Sequence, residues 1–378
     1  MSSNISGPVN VVRVEGYINN IKKVLYLFMD IHVFVFHQTK CSGQSININK
    51  YFVDSFKKIS KNNQQYDFFI ENHESTLGKK SPFSKEGMPS YIQQVQILLS
   101  NIMYSNTLKS VYKNIRIHHI DIREYYDSIL NIFHELDDMI EPDIDIDDCD
   151  NISELLANIG KHYPKIKKLF NINLSKSNKN NKQKYILNKL INHYNNDNVR
   201  KIMLSLIQRI YYDLYELEIL CLELITNVLM HQNLLLQPID HLRKTTISYN
   251  PYAYGATEDE LNDSYNKLFH SYTQLQTFHL DTFIRLMDYF FLRRFLDKEY
   301  ITNGICYTGA SHSIDIIYVL VKLFDFKITH VVHSDPNDLS KLNNEIKTKN
   351  NFHELTEMLF PKKVLQCSNM KNFPKNFA

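Results

Sequence analysis

The chain has 378 residues, 43% of them apolar and 22% charged, with a net charge of +2. That is enough chain to bury a sizeable core as one large domain or two, and no basic stripe of the kind that binds nucleic acid is present. No run approaches the ~20 uncharged apolar residues of a membrane span, and the N-terminal MSSNISGPVN lacks the basic and apolar regions of a signal peptide, so a cytoplasmic protein is expected.

Read in order, Val11 to Val14 predict a short edge strand, and Val24 to Phe28 have the aromatic, branched composition of a buried one. Asp30 and His32 follow it on one side of an extended chain. Polar groups so placed suit the carboxyl end of a strand, where open α/β sheets bind ligands. Ile48 to Ile59 predict a helix, and Tyr66 to Ile70 a second strand ending on Glu71. Strand, helix and strand make a βαβ unit with an ionisable group after each strand.

Asn72 to Ser90 lack periodicity and are long enough for a mobile lid. An amphipathic helix over Tyr91 to Val111 precedes a third strand, Ile115 to Ile120, which closes on Asp121, Ile122 and Arg123. Glu124 to Ile140 return to helix. Beyond them come an acidic loop, a basic helix over Lys161 to Phe170 and an Asn/Lys-rich stretch, Asn171 to Asn198, that reads as a surface linker. The longest helical pattern runs from Val199 to Leu236, with further helices over Thr257 to His270 and Thr273 to Leu296. A strand, Gly304 to Tyr307, then runs into Thr308-Gly309-Ala310-Ser311-His312. A helix over Ile314 to Phe324, a strand over Lys327 to Val332 and a polar tail complete the chain.

These elements predict an α/β fold, with a mainly parallel or mixed central sheet flanked by helices and a large all-helical insertion. Residues 1–140 and 251–340 form the two halves of the core, 141–250 the Asn-rich insertion and 341–378 the tail. Five cysteines (Cys41, Cys149, Cys221, Cys306 and Cys367) are scattered without a CxxC pair. Neither a disulfide framework nor a zinc–thiolate site is expected, and a reducing compartment is the default. Asp143, Asp145, Asp147 and Glu154 have the spacing of a calcium loop. Asp148 stands where that loop needs Gly, however, so a solvated acidic loop is expected and calcium is not. There is no Walker loop, GxGxxG or GxSxG, which weighs against kinase, dehydrogenase and serine-hydrolase readings.

Two strand-end motifs resemble a known family. Residues 25–33, LYLFMDIHV, resemble the first signature of the TraB/PrgY/GumN/TIKI group, YLFGxxHV. Residues 307–313, YTGASHS, resemble its C-terminal signature, a strand followed by GxxH and a helix. Glu71 sits where the wider erythromycin-esterase/ChaN superfamily places an acidic residue, and the helix with Arg285 and Asp288 is similar to its Arg-bearing helix. The stretches DIH, QTKC and DFFIE also resemble a block shared by proteins of giant DNA viruses. The likeness covers residues 24–125 and 275–333, and it departs from the family at Met29, which replaces the first Gly.

That resemblance implies a centre of His32, Glu71 and His312. Its peptidase branch implies a divalent metal (Mn, Co or Zn) on these residues, and its esterase branch a metal-free site in which a His is general base on water. Asp30, Asp121, Arg123 and Arg285 would support the centre or hold substrate. Blander readings stand beside these. A strand-end His can be structural, His118 and His119 can simply belong to their strand, and Arg285 can pair with Asp281 or Asp288 on its own helix. His73 and Glu74 are alternative ligands. The expectation is therefore a hydrolase of open substrate. The alternative is a catalytically inactive structural or interaction protein, a virion component with itself or other viral proteins as partners.

Overall fold

The computed structural model describes residues 3–33, 35–72, 89–122, 189–235, 257–333, 338–361 and 363–377, with a few helical positions between 153 and 164. Most of the expected lid over 72–90, the helix over 124–140, the calcium-like acidic loop, most of the basic helix and most of the Asn-rich stretch lie outside these residues. The chain divides into two compact units. One comprises Met1–Ile122, His193–Met203 and Met287–Ala378, and the other Arg123–Asn192 and Leu204–Leu286.

The first unit is the expected α/β fold. Its N-terminal strands are β1 (Asn4–Ser6), β2 (Asn10–Ile18) and β3 (Ile21–Asp30). Asn19 and Asn20 join β2 to β3 with φ of 49° and 63°. Asn tolerates this left-handed backbone, and a two-residue turn of that kind matches the twist of a hairpin. The expected short edge strand is thus nine residues long and interior, because β2 pairs with β3 on one side and with β8 (Lys327–Val331) on the other. Most of it is buried.

Beyond β3 come the short β4 (Ile46–Asn47), α1 (Ile48–Ile59), β5 (Tyr66–Ile70), α2 (Tyr91–Tyr104), α3 (Asn106–Val111) and β6 (Ile115–His119). The expected helix over 91–111 is two helices, because the Ser105 hydroxyl accepts from the Leu108 N–H and starts a second one. After the long helices α4 (Asp197–Leu235) and α5 (Glu258–Asp297) come β7 (Asn303–Gly309), α6 (Ala310–Leu323) and β8. The six-stranded order is β6-β5-β7-β3-β2-β8, with β6, β5, β7 and β3 parallel. The βαβ unit therefore skips one position, and β7, from far along the chain, fills it. The tail is more than polar: its β9 (Cys367–Asn369) joins β1 and β4 in a separate three-stranded sheet.

Alternation along the strands sends side chains to two covered faces. On one, Tyr26, Phe28, Phe68 and Tyr307 meet Phe52 and Phe56 of α1. The Phe52 ring lies 5.0 Å from those of Phe28 and Phe68, edge to face. On the other, Phe69 meets Phe291 of α5 at 4.8 Å. Gly304 permits this approach, since a Cβ there would lie 2.7 Å from Leu25 and 3.1 Å from Phe295. The buried Lys23 donates from Nζ to the carbonyls of Phe295, Lys298 and Ile301, closing the end of α5.

In the second unit α5 is one helix where two were expected. Leu217, Cys221, Leu224 and Val228 of α4 and Leu261, Leu268 and Leu275 of α5 are buried at heptad spacing, and Asn227 donates to Ser271 across the pair at 3.2 Å.

A buried ion cluster ties β5 to β6. Asp67 accepts two bonds from Arg116, at 2.8 and 2.6 Å, and one at 2.7 Å from His118. Burial alone would raise the Asp67 carboxyl, but hydrogen bonds from His118 and Arg116 outweigh it and hold it below its ordinary value. A lowered carboxylate contributes stability above its unfolded pKa and loses it as pH falls through the folded one. Asp67→Asn is expected to cost about 3 kcal/mol at pH 7. Its stability, read by urea unfolding, should also fall less than the wild type's as pH drops below about 4. Equal acid-side losses in the two proteins would remove this role from Asp67.

Candidate active site at the carboxyl edge of the sheet

Strands β3, β7 and β5 run side by side and end on Asp30, Gly309 and Ile70. His32 lies two residues past β3, Glu71 directly follows β5, and His312 is on the first turn of α6, which Gly309 starts. Three neighbouring strand ends thus bring the three expected residues together.

Glu71 is the centre of the arrangement and only 4% exposed. Its Oε2 accepts from the Thr308 hydroxyl at 2.8 Å and from the Gly309 N–H at 2.7 Å. The second donor opens α6, whose N-terminal dipole favours a negative charge. His32 Nε2 lies 3.4 Å from Oε2, and His312 Nε2 lies 3.7 Å from Oε1. The His32 side chain is 46% exposed while that of His312 is buried, so His32 is the member open to an incoming molecule.

His312 Nδ1 lies 2.8 Å from Asp288 Oδ1. A carboxylate only accepts, so the bonded proton sits on Nδ1, and Nε2 is the ring atom that faces Glu71. Asp288 is fully buried in the last third of α5 with Asp315 beside it. Burial pushes it up to about 6, and the nearby His312 offsets part of that rise. Asp30 accepts from the Tyr307 hydroxyl at 3.1 Å. Burial lifts it to about 7, against the pull of His32 and of the Tyr307 bond.

Gly309 lets the two groups approach closely: a Cβ there would stand 3.1 Å from His32 Nε2 and 3.3 Å from Glu71 Oε2, so both would have to shift by a few tenths of an ångström. Met29 has no such constraint. It is fully buried and paired with Asn10 and Thr308 in regular strand, so its backbone needs no glycine.

The other expected site residues fare differently. Arg285, in the helical unit, pairs with Asp213 at 2.8 Å and donates to the Asp281 carbonyl at 3.1 Å. Asp288, the other partner considered for it, is engaged by His312. Asp121 follows the outermost strand, β6, and is partly exposed. Arg123, His73 and Glu74 lie outside the described residues. His118 belongs to its strand, bonded to Asp67. The sequence reading puts Asp288 on the helix of Arg285 without pairing it with His312, and it does not single out Thr308. A lone carboxylate in the apolar run Leu286-Met287-Asp288-Tyr289-Phe290-Phe291 is the signal that points to Asp288, because such a group needs a partner. Thr308 has no comparable signal.

Two imidazoles and a carboxylate are donors that suit Mn, Co or Zn. Oε2 already accepts from Thr308 and Gly309, which leaves Oε1 as the carboxylate oxygen that could bind such an ion beside the two Nε2 atoms. Among the described residues no group of three or more His, Cys, Asp or Glu is arranged to hold a metal.

A model of a family of unknown function, DUF5847, matches residues 3–378. The chain belongs to this family. Its relatives are giant-virus proteins. Uncharacterized protein R706 of Acanthamoeba polyphaga mimivirus is 33% identical, with 99% of this chain and 96% of R706 covered. Uncharacterized proteins R161 and R160 of the same virus are 31% and 30% identical, again over 99% of this chain and over 98% and 97% of their own lengths. No solved structure matches the chain. The family shown is DUF5847 rather than the TraB group that the strand-end motifs resemble. Among the described residues no helix is long and apolar enough to cross a membrane.

Proposed function

We propose that this chain is a hydrolase whose centre is His312, Glu71 and His32, with Asp288 orienting His312. The observation that carries this reading is the convergence of both imidazole Nε2 atoms on one buried carboxylate at the carboxyl edge of three parallel strands. In this reading a water attacks the substrate carbonyl and gives its proton to His312 Nε2, and Asp288 stabilises the imidazolium. Glu71 holds the two rings in place by charge. His32, the exposed member, protonates the departing group. The likeness to the TraB and erythromycin-esterase motifs supports hydrolysis, and its esterase branch the metal-free form.

The test is a screen of the full-length protein against ester, amide and peptide substrates. His32→Ala is expected to abolish turnover while shifting Tm by less than about 2 °C, because a half-exposed side chain contributes little to the core. A large loss of stability would make His32 structural. The donor set keeps a metal-assisted version open to measurement. Stoichiometric Mn, Co or Zn after purification without chelator, lost in His312→Ala, would favour it over the metal-free form.

In a second reading the fold is retained without catalysis. The protein would then be an interaction component of the virion or host cytoplasm, assembled with itself or with other viral proteins. A negative screen with a correctly folded protein favours it.

A further inference from the structure

The segment that carries His32 is held from an unexpected direction. Contrary to the cysteine spacing, Cys41 and Cys367 form a disulfide across 326 residues, with Cα atoms 4.8 Å apart. Only the tertiary fold brings them together, through the antiparallel register that sets Ser6 opposite Cys367. Around the disulfide Thr39 and Gln366 bond reciprocally: the Thr39 N–H donates to Gln366 Oε1 at 3.0 Å, and the Gln366 N–H donates to Thr39 Oγ1 at 2.7 Å. The Tyr91 hydroxyl donates to the Thr39 carbonyl, and the Cys41 N–H to Ser6 Oγ. Gln366 itself is fully buried beside the Asp30 carboxyl.

Residues 31–38, between Asp30 and this anchor, are held differently. Among the described residues their backbone hydrogen bonds are local ones, Val33 N–H to the Ile31 carbonyl and Gln38 N–H to the Val35 carbonyl. The segment is thus held by strand β3, by the contact of His32 with Glu71 and by the anchor at 39–41. The C-terminal side of the anchor is independently docked, with β9 paired to β1 and Met370, Phe373 and Phe377 in the aromatic core. Loss of the disulfide would thus remove the covalent part of the anchor from the His32 side, leaving it to the hydrogen bonds of Thr39 and Cys41, and leave the C-terminal side in place.

We propose that the Cys41–Cys367 disulfide is a redox-operated tether that fixes the His32-bearing segment, so that reduction by a dithiol loosens that segment without unfolding the sheet. One thiolate of the dithiol attacks a disulfide sulfur, and its second thiol then closes the reductant into a cyclic disulfide. The S–S bond takes two electrons and two protons and becomes the Cys41 and Cys367 thiols. Cys367 is only half-buried, which gives a small dithiol access. The tether would be closed in oxidising surroundings and open in a reducing cytosol. Its effect on turnover rests on the hydrolase reading above, but its effect on the segment does not.

Native-state hydrogen exchange of the full-length protein separates the two. It is compared for the oxidised form, the dithiothreitol-treated form and the Cys41→Ser/Cys367→Ser double variant, after non-reducing peptide mapping. A disulfide acting only on the unfolded chain lowers global stability and leaves local openings of the native state alone. A tether makes peptides within 31–45 exchange about tenfold faster or more, with β5 and β7 peptides changed less than about twofold. Uniform acceleration, no acceleration, or absence of the 41–367 linked peptide would each overturn the proposal. Turnover is read on the same samples and is expected to fall on reduction. Local loosening without hydrolysis in either form would uphold the tether and reject the hydrolase reading. Hydrolysis with unchanged exchange would do the reverse.

Discussion

Glu71→Gln is expected to lower kcat/KM on any substrate found in the screen by about 10³-fold or more, with a stability loss of only about 1–2 kcal/mol. The asymmetry follows from the two sides of the carboxylate. Its protein-facing bonds, from the Thr308 hydroxyl and the Gly309 N–H, need only an acceptor, and an amide oxygen turned toward them supplies one. Its site-facing role is a negative charge 3.4 and 3.7 Å from two imidazole nitrogens, and the amide has none. Steady-state kinetics with urea unfolding on the same preparation reads both quantities. Turnover kept within tenfold of wild type would exclude Glu71 from the chemistry.

Asp288→Asn should have an effect of similar size through a different route. The residue is fully buried and meets the reacting groups only through His312, so it is a positioning residue. An amide NH₂ facing His312 Nδ1 donates where the carboxylate accepted, which moves the imidazole proton to Nε2 and removes the lone pair that takes a proton from water. A loss of about 10³–10⁴ in kcat with KM nearly unchanged is expected, since wrong-tautomer changes at comparable His–carboxylate pairs have that magnitude. Nitrogen-15 chemical shifts of the His312 ring give a readout that a merely structural role would leave still. Unchanged tautomer shifts in the variant would remove this role from Asp288.

Much of the site was legible because its signals are local. An apolar run of strand length followed at once by an ionisable residue identified His32 and Glu71 as strand-end groups, and GxxH set His312 just before the helix read over Ile314–Phe324, which begins earlier, at Ala310, and so carries His312 on its first turn. The helix over Ile48–Ile59 and the strand over Tyr66–Ile70 appear within the residues read for them. Where local signals competed, the reading failed. The helix over 91–111 hides a capping serine at Ser105, and α5 runs through the break read near residue 271. Arg285 has carboxyl-bearing neighbours along its own helix, yet it pairs with Asp213 on α4.

Local sequence signals marked the longer strands of the main sheet and most of the helices, with the ionisable residues at their ends, but not the short β1, β4 and β9. Hydrophobic period, turn chemistry and capping act over roughly ten residues and need no partner. Only the tertiary structure decided that β7 lies between β3 and β5, that β2 is interior, that Asp288 rather than Arg285 serves His312, and that Cys41 meets Cys367. Those outcomes depend on which apolar faces are buried together across hundreds of residues, and strand composition is nearly the same whichever neighbour a buried strand takes. The insertion of β7 converts three separate strand ends into one site.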